Sequence, residues 1–108
     1  MNSKRKGTAA ERELARILSG YGYECHRAQG FQKGGIDTPD VAGLPGIHIE
    51  CKRVESLNIH KAYAQAVRDA DGKAIPVVMH RRNREPWMVT ISLEHFMRIY
   101  EIWEKEQG

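Results

Sequence analysis

Pro39-Asp40-Val41-Ala42-Gly43-Leu44-Pro45-Gly46-Ile47-His48-Ile49-Glu50-Cys51-Lys52-Arg53 is the stretch that decides the fold. Asp40 to Ala42 reads as extended chain, Gly43 to Gly46 as a turn, and Ile47 to Arg53 as a strand. Side chains alternate across a strand, so His48, Glu50 and Lys52 share one face and Ile47, Ile49 and Cys51 the other. The apolar set marks an inner strand, where charges need a reason to be present. Two readings are open. Glu50 and Lys52 can be neighbours on a solvated strand, a pattern short enough to arise often. Alternatively, two carboxylates and a lysine converge, with Asp40 delivered by a glycine-rich segment able to adapt to a ligand.

The second reading has a definite chemistry. Hydrolysis of a phosphodiester needs an activated water, stabilisation of negative charge at phosphorus, and help for the leaving oxygen. Mg²⁺ held by oxygen ligands supplies all three, and Mn²⁺ is expected to substitute. Asp40 and Glu50 would be direct ligands, with the main-chain carbonyl of Cys51 as another. Lys52 would orient the attacking water or stabilise the charged transition state.

Working outward, Thr8 and Glu11 form a capping-box pattern at the start of a first helix. Leu14, Ile17, Leu18 and Tyr21 follow at helical spacing and Gly20 and Gly22 bracket its end. Tyr23 to Ala28 reads as a short strand, and Gln29 to Pro39 as a mobile loop with Gly30, Gly34 and Gly35. Asn58 to Ala70 is an alanine-rich helix suited to close packing on a sheet, with Gly72 placed to end it. Two more strands, Ile75 to His80 and Trp87 to Ile91, flank a basic turn. Ser92 then caps a last helix carrying Leu93, Phe96, Met97, Tyr100 and Trp103. Ile102 lies nearly opposite Leu93, so this helix presents a second apolar face. That face is either a subunit contact or a scattered surface isoleucine. The order of elements is that of an α/β domain around a mixed sheet.

The bulk properties set limits. With 108 residues the chain suffices for one domain, 1–108, with residues 1–7 as a basic flexible arm. No apolar run is long enough for a membrane span or a secretory signal, which points to a cytoplasmic protein. The net charge of +3 is compatible with nucleic acid, and its distribution says more. Basic residues gather at Lys4-Arg5-Lys6, at Lys52-Arg53 and at Arg81, Arg82 and Arg84; each cluster has solvated surface as its plain alternative. Cys25 and Cys51 lack metal or disulfide spacing, and the five histidines form no HxxxH or HExxH pattern, so structural zinc is not expected. His48 shares the Glu50 face and is placed to hydrogen-bond behind a ligand.

Lys6-Gly7, Ala10-Glu11-Arg12-Glu13-Leu14, Arg27 before a glycine-bearing loop, Pro39-Asp40-Val41-Ala42-Gly43 and Ile49-Glu50-Cys51-Lys52, in that order, resemble the archaeal-type Holliday junction resolvases. Those enzymes belong to the PD-(D/E)xK nuclease superfamily, and similar small nucleases occur in phages. The resemblance covers roughly the first half of the chain in ordered motifs. It implies a restriction-endonuclease-like core, a central mixed sheet of about five strands flanked by helices. It further implies a Mg²⁺-dependent homodimer that makes paired nicks in four-way DNA junctions, and the apolar face of the C-terminal part is the surface the sequence offers for that dimer. A phage member would work in the host cytoplasm.

Carried over by position, Asp40 and Glu50 are the metal ligands, Lys52 the catalytic lysine, and Glu11 a further acid acting directly or through water. Periodicity alone does not choose between Glu11 and Glu13, which flank opposite edges of the apolar stripe; the resemblance chooses Glu11. Arg12 and Arg27 match backbone-contacting residues, and the Gln29 to Thr38 loop, with Lys33, matches a segment that engages the junction. Lys4, Arg5, Lys6, Arg53, Lys61 and Gln65 complete the expected DNA surface. For Lys61 and Gln65, which share a helix face with Arg68, a solvated face is the plainer reading. The loop departs from the family in its length and in carrying Asp37. Asp40 is favoured as the ligand because Val41 continues into a strand. Two rivals stand: the same chemistry on duplex or flap DNA, and a basic DNA-binding module that does not cut. The second would have no need of acids converging on Lys52.

Overall fold

A computed structural model describes residues 3–28 and 39–108, the side chains of residues 3–6 excepted. The expected loop, with Lys33 and Asp37, lies outside the described residues. Three helices and five strands follow one another as α1 (Ser3–Ser19), β1 (His26–Arg27), β2 (Val41–Ala42), β3 (Ile47–Arg53), α2 (Ile59–Ala70), β4 (Ile75–Arg81), β5 (Met88–Thr90) and α3 (Leu93–Gln107). The strands form one mixed sheet in sequence order. β3 and β4 are parallel over their whole length, Ile47 opposite Ile75 through Arg53 opposite Arg81, and the other pairs are antiparallel. The α2 crossover is what allows the parallel pair.

Alternation along β3 sorts the two faces as the pattern required. Ile49 and Cys51, with Val77 and Met79 of β4, pack against Ala10, Leu14 and Ala15 of α1. On the other face Val78 meets Ala62 and Ala66 of α2, whose small side chains permit close approach. β3 is thus covered on both sides by helices, and its carboxyl end stays open, the end where α/β sheets bind ligands.

Several expectations are corrected. α1 begins at Ser3, not near Thr8, so Thr8 is inside the helix and caps nothing. Lysine and arginine are good helix formers and carry the helix upstream through positions expected as an arm. The β1 strand shrinks to His26–Arg27, because only these residues find partners on β2. Asp71 takes the left-handed cap of α2 with φ 50°, its N–H donating to the Val67 carbonyl, and Gly72, at φ +72°, follows it at the helix end as expected. Asn58 and Ser92 do cap α2 and α3.

α3 differs most. None of its residues is buried, and Leu93, Ile102 and Trp103 are 76%, 66% and 55% exposed. The Ser92 N–H donates to the Tyr63 hydroxyl and anchors the helix start. Beyond that anchor the apolar side chains of both faces stay substantially exposed.

Gly43 fixes the corner that brings β2 to β3. Its φ is +127°, and a Cβ there would lie 2.3 Å from the Glu24 carbonyl oxygen and 2.6 Å from the Cys25 Cα. Both obstacles are backbone. Gly43→Ala is therefore expected to destabilise the fold by at least about 2 kcal/mol in chemical denaturation, since overpacking and glycine-only backbone angles combine.

Candidate active site

Four chain segments meet at the open end of β3. An open cleft of about 330 Å³ is lined by Glu11 of α1, Asp40 before β2, Glu50, Cys51, Lys52 and Arg53 of β3, and Gln65 of α2. Gly7 lines it too, a helical position without a side chain to fill the entrance. The structure thus brings together all four residues expected to act in catalysis, with Gln65 and Arg53 beside them.

Asp40 is oriented by the sheet itself. Its Oδ2 accepts from the Cys51 N–H at 2.8 Å, and its own N–H donates to the Ile49 carbonyl at 2.9 Å. Burial raises its carboxyl above the ordinary range, opposed by the Cys51 hydrogen bond and by the charges of Lys52 and His48. Glu50 is 2% exposed. Burial pushes its carboxyl up to about 7, Asp40 and Asp69 add repulsion, and Lys52 opposes the rise. Lys52 Nζ stands 3.7 Å from Glu50 Oε2 and keeps a third of its side chain in solvent. Glu11 is also raised, by burial and then by Asp40, against Arg27 and Lys52. Three acids that resist ionisation around one lysine form a site short of positive charge.

Glu11 and Glu13 now separate. Glu11 faces the cleft and accepts from Arg27 Nε at 2.8 Å, with Thr8 accepting from the same guanidinium. Glu13 points elsewhere: it pairs with Arg53 at 3.2 Å and Arg81 at 3.1 Å, and accepts from the Trp87 indole at 3.0 Å. Arg27 and Arg53, both expected on the DNA surface, are therefore half-buried partners of acids as well. Arg12 and Lys61 are exposed.

One residue was missed. Asp69, 8% exposed in the last turn of α2, lies behind Glu50 with His48, which is 4% exposed. Ligand-capable atoms of His48, Glu50 and Asp69 all fall within 4.8 Å of one another. The signal was present in the sequence, because Asp69 shares the buried stripe of Ala62, Ala66 and Ala70. Both thiols are free, and burial pushes that of Cys51 well above its usual range.

The donor set is one of hard oxygens, suited to Mg²⁺ or Mn²⁺ over softer metals. The family model described as a phage putative PDDEXK endonuclease matches residues 2–107. The chain belongs to this family. It is accordingly a PD-(D/E)xK nuclease, a class that uses divalent metals. Among solved structures it is similar to Hjc of Archaeoglobus fulgidus, described as a Holliday junction resolvase from an archaeal hyperthermophile. The identity is 26%, the TM-score 0.59, and the match covers 80% of this chain and 72% of that one. The restriction-endonuclease-like core expected from the sequence is thereby shown. No curated protein sequence matches the chain.

Proposed function

We propose that this PD-(D/E)xK nuclease is a Mg²⁺-dependent endodeoxyribonuclease that resolves four-way DNA junctions by paired nicks, acting as a homodimer. The observation that carries the chemistry is the convergence of Glu11, Asp40, Glu50 and Lys52 on one cleft. Asp40 and Glu50 would hold the metal, with the Cys51 carbonyl, and Glu11 directly or through water. A bound divalent ion supplies Lewis-acid stabilisation of the phosphate and lowers the pKa of water. The chain's own part is electrostatic. Lys52 places a cation where charge develops at phosphorus, in a setting where burial strengthens it. The Cys51 N–H holds Asp40 in one orientation, and His48 and Asp69 crowd Glu50 from behind, Asp69 repelling its charge. Gln65 lines the cleft and Lys61 the hollow beside it, within reach of an entering phosphate backbone, and exposed Arg12 is assigned to the same surface from the sequence. Lys4, Arg5, Lys6 and Lys33 are assigned to the same surface from the sequence.

Two features support the junction and the dimer. The Hjc likeness bears on the junction. The uncovered α3 supports the dimer, because a helix that exposes Leu93, Ile102 and Trp103 has more to gain from a second copy than from water. No described helix is long and apolar enough to cross a membrane. The same reading takes the enzyme to work in the cytoplasm.

The test compares a synthetic four-way junction with a linear duplex of the same sequence, in Mg²⁺. Symmetric nicks in the junction, with the duplex cut at least about tenfold more slowly, are expected. Equal cutting of both would keep the nuclease and reject the resolvase. A monomer mass at micromolar concentration would reject paired nicking by a dimer.

A further inference from the structure

The acidic cleft is the first of a row of hollows. A second hollow, of about 270 Å³, shares Lys52, Val54 and Gln65 with it and adds Asn58 and Lys61. A third, of about 350 Å³, shares Val54 and Leu57 with the second and ends at Arg81 and Arg82. Together they make a trough from the cleft to the turn between β4 and β5.

That turn is braced. The Asn83 N–H donates to Glu55 Oε2 at 2.7 Å, so the one acid lining the third hollow is engaged by backbone. Asn83 Oδ1 accepts from Arg53 at 3.4 Å, and Arg81 lies over the Trp87 ring at 5.8 Å while pairing with Glu13. Arg82 and Arg84 stand on either side of Asn83, exposed, and no described carboxylate pairs with them or with Lys61. Arg84 has a φ of +63° in a turn closed by the Glu85 N–H on the Arg82 carbonyl. Glycine or asparagine is favoured at such a position, and strain kept at an exposed arginine points to function.

We infer that this trough is the track of one DNA strand leaving the cleft, with Lys61 along its floor and Arg82 and Arg84 as a phosphate clamp at its far end. The inference rests on the nuclease reading and adds where the strand runs. Register sets the distance: Glu50 is opposite Val78, and Arg82 is four residues further on, the first residue after β4. Four strand steps are roughly 13 Å, or about two phosphate-to-phosphate steps along one strand. The clamp therefore holds the backbone about two nucleotides from the scissile phosphate.

Binding is measured with the Asp40→Asn protein on duplex-armed DNA over a range of salt, so that cutting does not enter. Adding Arg82→Ala and Arg84→Gly should weaken binding by about tenfold or more and reduce the slope of log affinity against log salt by about two. Lys73→Ala, which removes one positive charge just before the opposite end of β4, should leave both within twofold. Melting temperature separates fold from contact, since Arg84→Gly suits the positive φ and should not lower it. Neutral methylphosphonates about two nucleotides from the cut should erase the difference between the two proteins. Overturning results are a salt slope and affinity like those of Lys73→Ala, or an unchanged effect with the neutral backbone. Failure of the wild type to cut any DNA would instead strike the nuclease reading, since the binding result does not depend on it.

Discussion

Asp40→Asn is expected to lower the rate of DNA cleavage by at least about a thousandfold while junction binding persists. Several kcal/mol of transition-state stabilisation come from a metal's charge, which corresponds to a factor of that size. Asparagine keeps an oxygen for the Cys51 N–H, 2.8 Å away in the wild type, so the corner of the sheet should stay intact. What it removes is a charge. Binding persists because affinity for DNA comes from the basic surface, and losing a carboxylate reduces repulsion. Single-turnover cleavage beside a gel-shift titration checks both halves. An active Asp40→Asn enzyme would remove Asp40 from the metal site, and lost binding would make it a structural residue.

Glu50→Gln should inactivate the enzyme to a similar degree and, at pH 8, stabilise the fold. Glu50 holds its proton more tightly when folded, with its carboxyl raised to about 7 from 4.5. Below the unfolded value both states are protonated and the shift has no effect. As pH rises from about 4.5 to about 7 the unfolded chain ionises first, so the native state loses stability relative to it. Above the folded value the loss is complete, on the order of 3 kcal/mol. Glutamine carries no charge at any pH. Its stability advantage over the wild type should therefore be near zero at pH 4 and reach that order at pH 8 in denaturant melts. Mg²⁺ should narrow the gap by stabilising the wild type alone. A Glu50→Gln protein less stable than the wild type at pH 8 would mean that the buried charge is well compensated, against the account of a site awaiting a cation.

Much of the site was legible because its elements are local. The bounds of β3 are those the apolar alternation indicated, and the same alternation sent His48, Glu50 and Lys52 to the α2 side. Asp40 could be placed because a proline and a strand-forming valine flank it. What escaped depends on contacts between distant segments. Asp69 reaches Glu50 only after α2 folds back over β3, and Glu13 joins Arg53 of β3, Arg81 of β4 and Trp87 just before β5. The start of α1 was misjudged because a capping box is a pattern of two residues, and neighbouring helix formers overrode it. For α3, periodicity correctly indicated apolar faces; it does not say whether this chain or another covers them.

The central claim is that the cleft works through a divalent metal, and single-turnover cleavage of a four-way junction in Mg²⁺ and in chelator tests it most directly. Rapid cutting in Mg²⁺, none in chelator, and full recovery when Mg²⁺ is restored are expected. Cutting that continues undiminished in chelator would contradict it.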